Sequence, residues 1–558
     1  MVQVFFQPAN RRIAVPEGLT ILEAARRAKV IIEAPCNGNG TCGKCKVKLG
    51  PVLQGMNNVD TGLASSEGDR ELVLACQTII NSDVRVEIPG HPANEQLKIL
   101  MHGQNLALEQ KVLISKKYDP ATNLTRIYAD QEILGVEPGN TEAETYGVVV
   151  DIGTTTLVIS IVDLRTGEER GLNATLNPQA IHAHDVLSRI QFAATELGLT
   201  AMYSELIAAL NRMITEVTGN LGIHKEHIYE VIFSGNTCML HLALNVNPVS
   251  LGKYPYTPAV KGGTQIQSLE HNLDISKYGV IYLPPVISAY VGADITSGIL
   301  AVKLHEQNEP TLLVDIGTNG EMALSCNNKL VSTSTAAGPA FEGMNITFGM
   351  RAAQGAIEHF DIEADGRVGV KTIGNVEAKG ICGSGLLDII GQLAAHGVID
   401  KSGRFLNPGT PGLPVLLQER LAVLEGKTVF MITEKIWLTQ KDVRQVQLAK
   451  AAIRAGIEFL LNQAVVKAEE ICKVLIAGSF GYHVRIASLF QIGLLPAQFQ
   501  GKVEAVGNTS LTGGQAFLLN TRYRREMSDL VRRVEVIELA NYPDFDRVFV
   551  NQMGFSNN

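Results

Sequence analysis

Four of the eight cysteines, Cys36, Cys42, Cys45 and Cys76, follow the spacing C-x5-C-x2-C-x30-C near the start of the chain, while Cys238, Cys326, Cys382 and Cys472 are scattered singly. This distribution suits a metal site in a reducing compartment better than a disulfide framework. An iron–sulfur cluster needs four thiolates, so the loop bearing them must turn tightly over the metals. In PCNGNGTCGKC, Gly38, Gly40 and Gly43 permit that turning and leave amide N–H groups free to face the sulfurs. Structural zinc is the alternative for the same donors. All-thiolate zinc sites usually pair two short C-x2–4-C knuckles, and only one is present here.

The loop also spells two misleading motifs. Gly38-x-Gly40-x-x-Gly43 matches a dinucleotide fingerprint, and Gly38-x4-Gly43-Lys44 nearly matches a P-loop. Both need a helix opening behind the last glycine, with its N-terminus aimed at phosphate. A strand pattern follows instead, and Cys45 stands where a P-loop needs Ser or Thr. Neither motif is assigned.

The elements that must hold this loop are two short strands (VQVFFQP and RRIAVPEG), a helix (TILEAARRAKV), a strand over 46–49, and further strands near 71–76 and 84–88. The pattern resembles the β-grasp 2Fe-2S ferredoxin domain, and the x5 first gap resembles its adrenodoxin-like members. The resemblance makes Cys36, Cys42, Cys45 and Cys76 the ligands of a 2Fe-2S cluster.

A second chemistry comes from a duplication. GVVVDIGTTTLVISIVDLRTG (147–167) is an apolar strand, a D-x-G-T-T turn and a second strand, and TLLVDIGTNGEMALSCNNKLV (311–331) repeats it. VIFSGN (231–236) and VLIAGS (474–479) are a second pair of echoes, buried strands ending on small-residue turns. A strand–Gly–Thr–strand hairpin lets main-chain N–H groups and hydroxyls approach phosphate oxygens. An aspartate at the strand end can hold Mg²⁺ or orient an attacking water. Together the two hairpins would grip a nucleotide's phosphates from opposite sides.

This arrangement resembles the ASKHA superfamily of acetate and sugar kinases, heat-shock ATPases and actin. The resemblance gives Asp151, Gly153, Thr154 and Thr155 to a first phosphate motif, and Asp315, Gly317, Thr318, Asn319, Gly320 and Glu321 to a second. It gives Gly478, Ser479, Phe480 and Gly481 to an adenosine motif, with Asp151 and Asp315 as the catalytic pair. Gly383 and Ser384 precede a periodic apolar helix, as a phosphate-facing N-terminus would; a plain capped helix is the competing reading. The loops 291–294 and 337–343 are expected near the cleft. His182, His184 and His483 are read as surface or satisfied core histidines. Cys382 has no cysteine near it in sequence with which to share a second cluster.

The chain has 558 residues, 46% hydrophobic and 19% charged. That is ordinary for a folded chain of several domains, and excludes global disorder. The net charge of −8 lacks the basic excess of a nucleic-acid binder. No apolar run approaches the roughly 20 residues of a spanning helix, and MVQVFFQPANRR lacks the order of a secretory signal. The expectation is a cytoplasmic protein that engages neither nucleic acid nor membrane.

The expected fold class is multidomain α/β: a β-grasp ferredoxin domain (1–92), a linker and small connector (93–145) with a hairpin joining 112–116 to 126–129, and a duplicated ribonuclease-H-like, actin-like ATPase region split into 146–308 and 309–558. NPQAIHAHDVLSRI, LPPVISAYVGADI, GICGSGLLDII, LTQKDVRQVQLAKAAIRAGI and LIAGSFGYHV, with the motifs above, resemble the reductive activators of corrinoid proteins. That resemblance implies one-electron transfer from the 2Fe-2S cluster to an inactive Co(II) corrinoid protein, restoring Co(I), with ATP and Mg²⁺ making the transfer productive. It also implies a low-potential electron donor and a homodimer. The connector is shorter than the middle region expected of such activators, and no D-x-H-x-x-G corrinoid-binding motif is present. The competing functions are a redox-regulated small-molecule kinase and a nucleotide-driven partner-binding clamp with a structural cluster.

Overall fold

The computed structural model describes residues 1–34, 36–40, 43–50, 72–89, 110–478 and 484–555. Near the N-terminus the alternation in Val2–Gln7 turns Val2, Val4 and Phe6 inward. This strand pairs antiparallel with Arg11–Val15 and parallel with Val84–Glu87. Lys46–Gly50 and Leu72–Leu74 complete the five-stranded sheet. The helix Ile21–Arg27 buries Ile21, Leu22, Ala24 and Ala25 in the same core. It starts on a capping box: the Glu23 N–H donates to Thr20 Oγ1 (3.2 Å), and the Thr20 N–H donates to the Glu23 carboxylate (2.8 Å). Such a cap contributes about 1 kcal/mol. A helix laid across a mixed sheet is the expected β-grasp arrangement.

The hairpin expected to join 112–116 to 126–129 pairs Ile114–Asp119 with Leu124–Ala129, and Glu132–Pro138 adds a third antiparallel strand. Its buried Lys116 donates to Tyr229 Oη (2.7 Å) and pairs with Glu137 (2.9 Å), which ties it to the strand Ile228–Gly235.

Two six-stranded sheets form the rest, and they share one topology. In each, a first strand (Tyr146–Ile152 or Thr311–Ile316) pairs antiparallel with a second (Thr156–Asp163 or Gly320–Cys326). A third follows antiparallel (Glu169–Leu176 or Lys329–Thr335). A fourth (Ile228–Gly235 or Lys473–Ala477) returns parallel to the first, and a fifth (Val280–Leu283 or Val503–Gly507) lies parallel to the fourth. Both sheets therefore run 3-2-1-4-5, the ribonuclease-H-like order, with one extra edge strand each. The first and fourth strands read as largely apolar runs, Glu230 and Lys473 aside, because both of their faces are covered. Helix Glu196–Leu221 packs into the core of the first sheet, and helix Gln440–Ala464 into that of the second.

The halves meet through the helices Ala293–Ala301 and Thr509–Leu519, each of which follows a fifth strand. VGADITSG (291–298) and VGNTSLTG (506–513) are a third internal echo, rich in small residues. The backbones approach closely: a Cβ on Gly513 would lie 1.9 Å from the Ser297 carbonyl oxygen, and one on Gly298 would lie 3.0 Å from Thr509 Oγ1. Gly513→Val is therefore expected to force these helices apart and lower the melting temperature by roughly 5 °C. An unchanged melting temperature by differential scanning calorimetry would show that the helices separate without cost.

Candidate functional site

In the thiol loop, Cys45 Sγ and Cys76 Sγ lie 3.2 Å apart, and Cys36, Cys45 and Cys76 are all free of disulfides. Gly38, Gly40 and Gly43 adopt φ of +93°, +73° and +69°, the left-handed region that glycine occupies without strain. A Cβ on Gly40 would lie 2.3 Å from Gln77 Nε2, so the loop is also pressed against the turn after Cys76. Thiol donors on a tightly turned loop and at Cys76 beside it, two of them with their sulfurs 3.2 Å apart, fit a thiolate-held iron centre. Cys42 lies outside the described residues.

The second site is a cleft of about 220 Å³ between the two halves. Both hairpins open onto it. Asp151, Gly153, Thr154, Thr155, Asp315, Gly317, Thr318, Asn319, Glu321, Gly383, Ser384 and Gly478 line it. Gly320 is not among the lining residues: a Cβ there would lie 2.7 Å from Thr335 Oγ1 and 2.8 Å from Ile453, so its size serves packing. Ser479, Phe480, Gly481 and His483 lie outside the described residues. At Gly478 (φ +95°), a Cβ would lie 2.6 Å from the Asp315 carboxylate.

The threonines of the two hairpins converge. Thr155 Oγ1 and Thr318 Oγ1, 163 residues apart in sequence, stand 3.4 Å from each other. Both donate to the carboxylate of Glu342, Thr155 at 2.5 Å. The fully buried Arg189 holds the first hairpin from behind, its guanidinium donating to the Thr154 carbonyl at 2.5 Å. Asn236 Nδ2 donates to Thr154 Oγ1 at 3.1 Å.

Beneath the hairpins sit four acids, Glu321 buried and Asp151, Asp294 and Asp315 half-buried. Burial raises the pKa of Asp151, opposed by hydrogen bonds from Asn508 Nδ2 (2.9 Å) and Ser510 Oγ (2.8 Å). Burial also pushes Asp294 up to about 7, against the N–H of Ile295 and reinforced by the Asp151 charge. Asp315 reaches about 7 through burial and then the charges of Asp294 and Asp151. Glu321 is raised by burial first, and then by Asp294 and Asp315. Carboxylates that repel one another in a buried cleft suit a divalent cation, which relieves the repulsion.

The cleft thus includes groups that motif reading did not assign. Asp294 and Glu342 lie in the two loops expected near it. Asn508 and Ser510 open the helix whose repeat relation to 291–298 emerges only once both fifth strands are seen. His184 is buried, accepts the Ala34 N–H at 3.2 Å, and is pushed down to about 3 by burial and then by neighbouring arginines. His182 pairs with Glu205 at 3.0 Å. Cys382 lines the cleft, its buried thiol donating to the Ile357 carbonyl (3.1 Å).

A solved structure described as the reductive activator for corrinoid, iron-sulfur protein superposes with a TM-score of 0.73 and 30% sequence identity, covering 100% of this chain and 98% of that one. The chain belongs to the RACo family. Family models match along its length: the 2Fe-2S iron-sulfur cluster binding domain on residues 4–81, the RACo middle region on 146–307, and the C-terminal domain of RACo, the ASKHA domain, on 309–558. The middle-region model thus falls on the first ribonuclease-H-like half and not on the connector. The corrinoid activation enzyme RamQ of Eubacterium limosum is 28% identical over the full length of both chains. The [Co(II) methylated amine-specific corrinoid protein] reductase of Methanosarcina barkeri is 24% identical over 74% of this chain and 77% of its own. RACo-family membership supports an iron–sulfur cluster in the thiol loop and nucleotide binding by the ASKHA region. Among the described residues, no helix is long and apolar enough to cross a membrane.

Proposed function

We propose that this protein is an ATP-dependent reductive activator that returns an inactive Co(II) corrinoid protein to Co(I) by transferring one electron. The observation that carries the nucleotide half of this reading is the convergence of Thr155 and Thr318, from two repeats of one hairpin, on the single carboxylate of Glu342. Two hydroxyls donating to the two oxygens of one anion are what a phosphate group in the same place would require. Cys36, Cys42, Cys45 and Cys76 would hold a 2Fe-2S cluster, which supplies a one-electron redox centre of low potential.

The division into a cluster domain (1–92), a connector (93–145) and two halves (146–308 and 309–558) belongs to the same proposal. Thr154, Thr155, Thr318 and Asn319 bind and orient the phosphates. Gly383 and Ser384 add the N-terminal N–H groups of helix Gly383–Ala395. Asp151 and Asp315 hold Mg²⁺ or orient the attacking water, and Gly478 leaves room beside Asp315 for the nucleoside turn. A low-potential donor and a homodimeric, cytoplasmic assembly complete the reading. The test is anaerobic visible spectroscopy of a Co(II) corrinoid protein mixed with the reconstituted chain and a chemical reductant. A Co(I) band is expected with ATP; its absence with a reduced cluster and bound ATP would overturn the reading for that partner.

The acid cluster makes the metal requirement dependent on pH. An unfolded aspartate ionises near 3.8, whereas Asp294 and Asp315 keep their protons to about 7 in the folded, metal-free chain. Their ionisation therefore removes stability as pH rises from about 4 to 7. Mg²⁺ must displace those protons below pH 7 and need not above it. The rise in melting temperature on adding Mg²⁺ is expected to be larger at pH 8 than at pH 6, by roughly 3–8 °C. Equal rises at both pH values would contradict the assignment of these carboxylates.

A further inference from the structure

The cluster domain touches the ATPase region on two segments, one leading to the first phosphate hairpin and the other to Glu342, whose carboxylate both hairpins share. On the first, Asn37, beside Cys36, donates to Ser188 Oγ at 2.6 Å, and the Ala34 N–H donates to His184 Nε2. Arg26 adds a bond to the Ile181 carbonyl at 3.0 Å. The residue after Ser188 is Arg189, which holds the Thr154 carbonyl. On the second segment, Glu33 pairs with Arg351 at 3.3 Å, and Lys44 Nζ, beside Cys45, donates to the Gly349 carbonyl at 3.1 Å. Arg351 and Met350 line the cleft. Met350 is packed on Gly343, where a Cβ would lie 2.6 Å from its carbonyl oxygen, and Gly343 follows Glu342.

We propose that the face formed by Glu33, Ala34, Asn37 and Lys44 is a docking surface for the cluster domain on the cleft wall, and that ATP binding releases it. This rests on the nucleotide reading of the cleft. A phosphate oxygen that takes the Thr155 and Thr318 hydroxyls must displace the Glu342 carboxylate, because two anions cannot share those two donors. Glu342 is joined through Gly343 to the segment that carries Gly349 and Arg351. The triphosphate also competes with Glu33 for the Arg351 guanidinium, which already lines the cleft. Both effects loosen the second contact. Movement of the first hairpin acts on the first contact through Arg189. Docked, the loop around Cys36 and Cys45 faces the chain's own cleft; released, the same surface becomes available to a redox partner. The coupling is reciprocal, so weakening the dock must tighten nucleotide binding.

The test is hydrogen-exchange mass spectrometry on the full, cluster-loaded chain under anaerobic conditions, with Mg²⁺ and the non-hydrolysable analogue adenylyl imidodiphosphate. Exchange at the Ala34 amide is expected to speed up at least about fivefold when the analogue is present. Glu33→Gln and, separately, Asn37→Ala should speed it without the analogue and tighten analogue binding about two- to fivefold. A residue with only a structural role would not tighten binding. Analogue that binds, seen as a thermal shift, while Ala34 exchange stays unchanged and neither variant binds it more tightly, would overturn the docking proposal and leave the nucleotide reading intact. Analogue that fails to bind at all would overturn both.

Discussion

Asp151→Asn is expected to lower ATP turnover by at least about 100-fold while leaving the cluster's visible spectrum unchanged. The carboxylate is positioned from the opposite half, by Asn508 and Ser510 at the start of helix Thr509–Leu519, so its two oxygens have fixed directions within the acid cluster. Asparagine keeps the shape but loses the charge and one acceptor. The cysteines that would hold the cluster belong to a separate sheet and core and do not touch Asp151, so the cluster's spectrum should not change. Coupled-assay turnover and a visible spectrum on the same preparation check both halves of the expectation. Turnover within about threefold of the parent would remove Asp151 from the catalytic pair.

Cys45→Ser is expected to have the converse effect. Cys45 is buried, with its sulfur 3.2 Å from Cys76, and it directly precedes the strand Lys46–Gly50. Iron content should fall from about two atoms per chain to well below one, since a hydroxyl is a poor replacement for a thiolate in such a site. The backbone contact from the Ala75 N–H to the Cys45 carbonyl (2.7 Å) does not involve the side chain, so the sheet should persist. ATP turnover should continue, and Co(I) formation should stop. A variant that retains a full iron complement would take Cys45 out of the ligand set.

Much of this architecture is legible in the sequence because it is written in local patterns. The alternation in Val2–Gln7, the apolar runs ending in Asp-Ile-Gly-Thr, and the cysteine spacing each constrain a few adjacent residues. What escapes is built from residues far apart in the chain. The significance of Glu342 lies in meeting Thr155 and Thr318, which the fold brings together. Arg189 matters because its guanidinium reaches the Thr154 carbonyl, a main-chain atom that no side-chain motif encodes. Asn508 and Ser510 belong to a repeat whose two copies share little beyond Val, Gly and small residues. Gly320 shows the opposite case: it is part of the hairpin motif by letter, yet its small size is used against helix Gln440–Ala464. Glu33, Asn37 and Lys44 read as filler around the cysteines until the cleft wall lies against them.

The most direct test of a single chain that joins nucleotide turnover to electron delivery is the rate of Co(I) formation in a Co(II) corrinoid protein, followed by its absorption band under anaerobic conditions. The parent chain, Asp151→Asn and Cys45→Ser would be compared, each with a chemical reductant and Mg-ATP. Co(I) formation by the parent alone, with Asp151→Asn still holding its cluster and Cys45→Ser still turning over ATP, is the predicted result. Equal rates for the parent and Asp151→Asn would contradict the coupling and leave the chain as a ferredoxin joined to an ATPase that does not drive it.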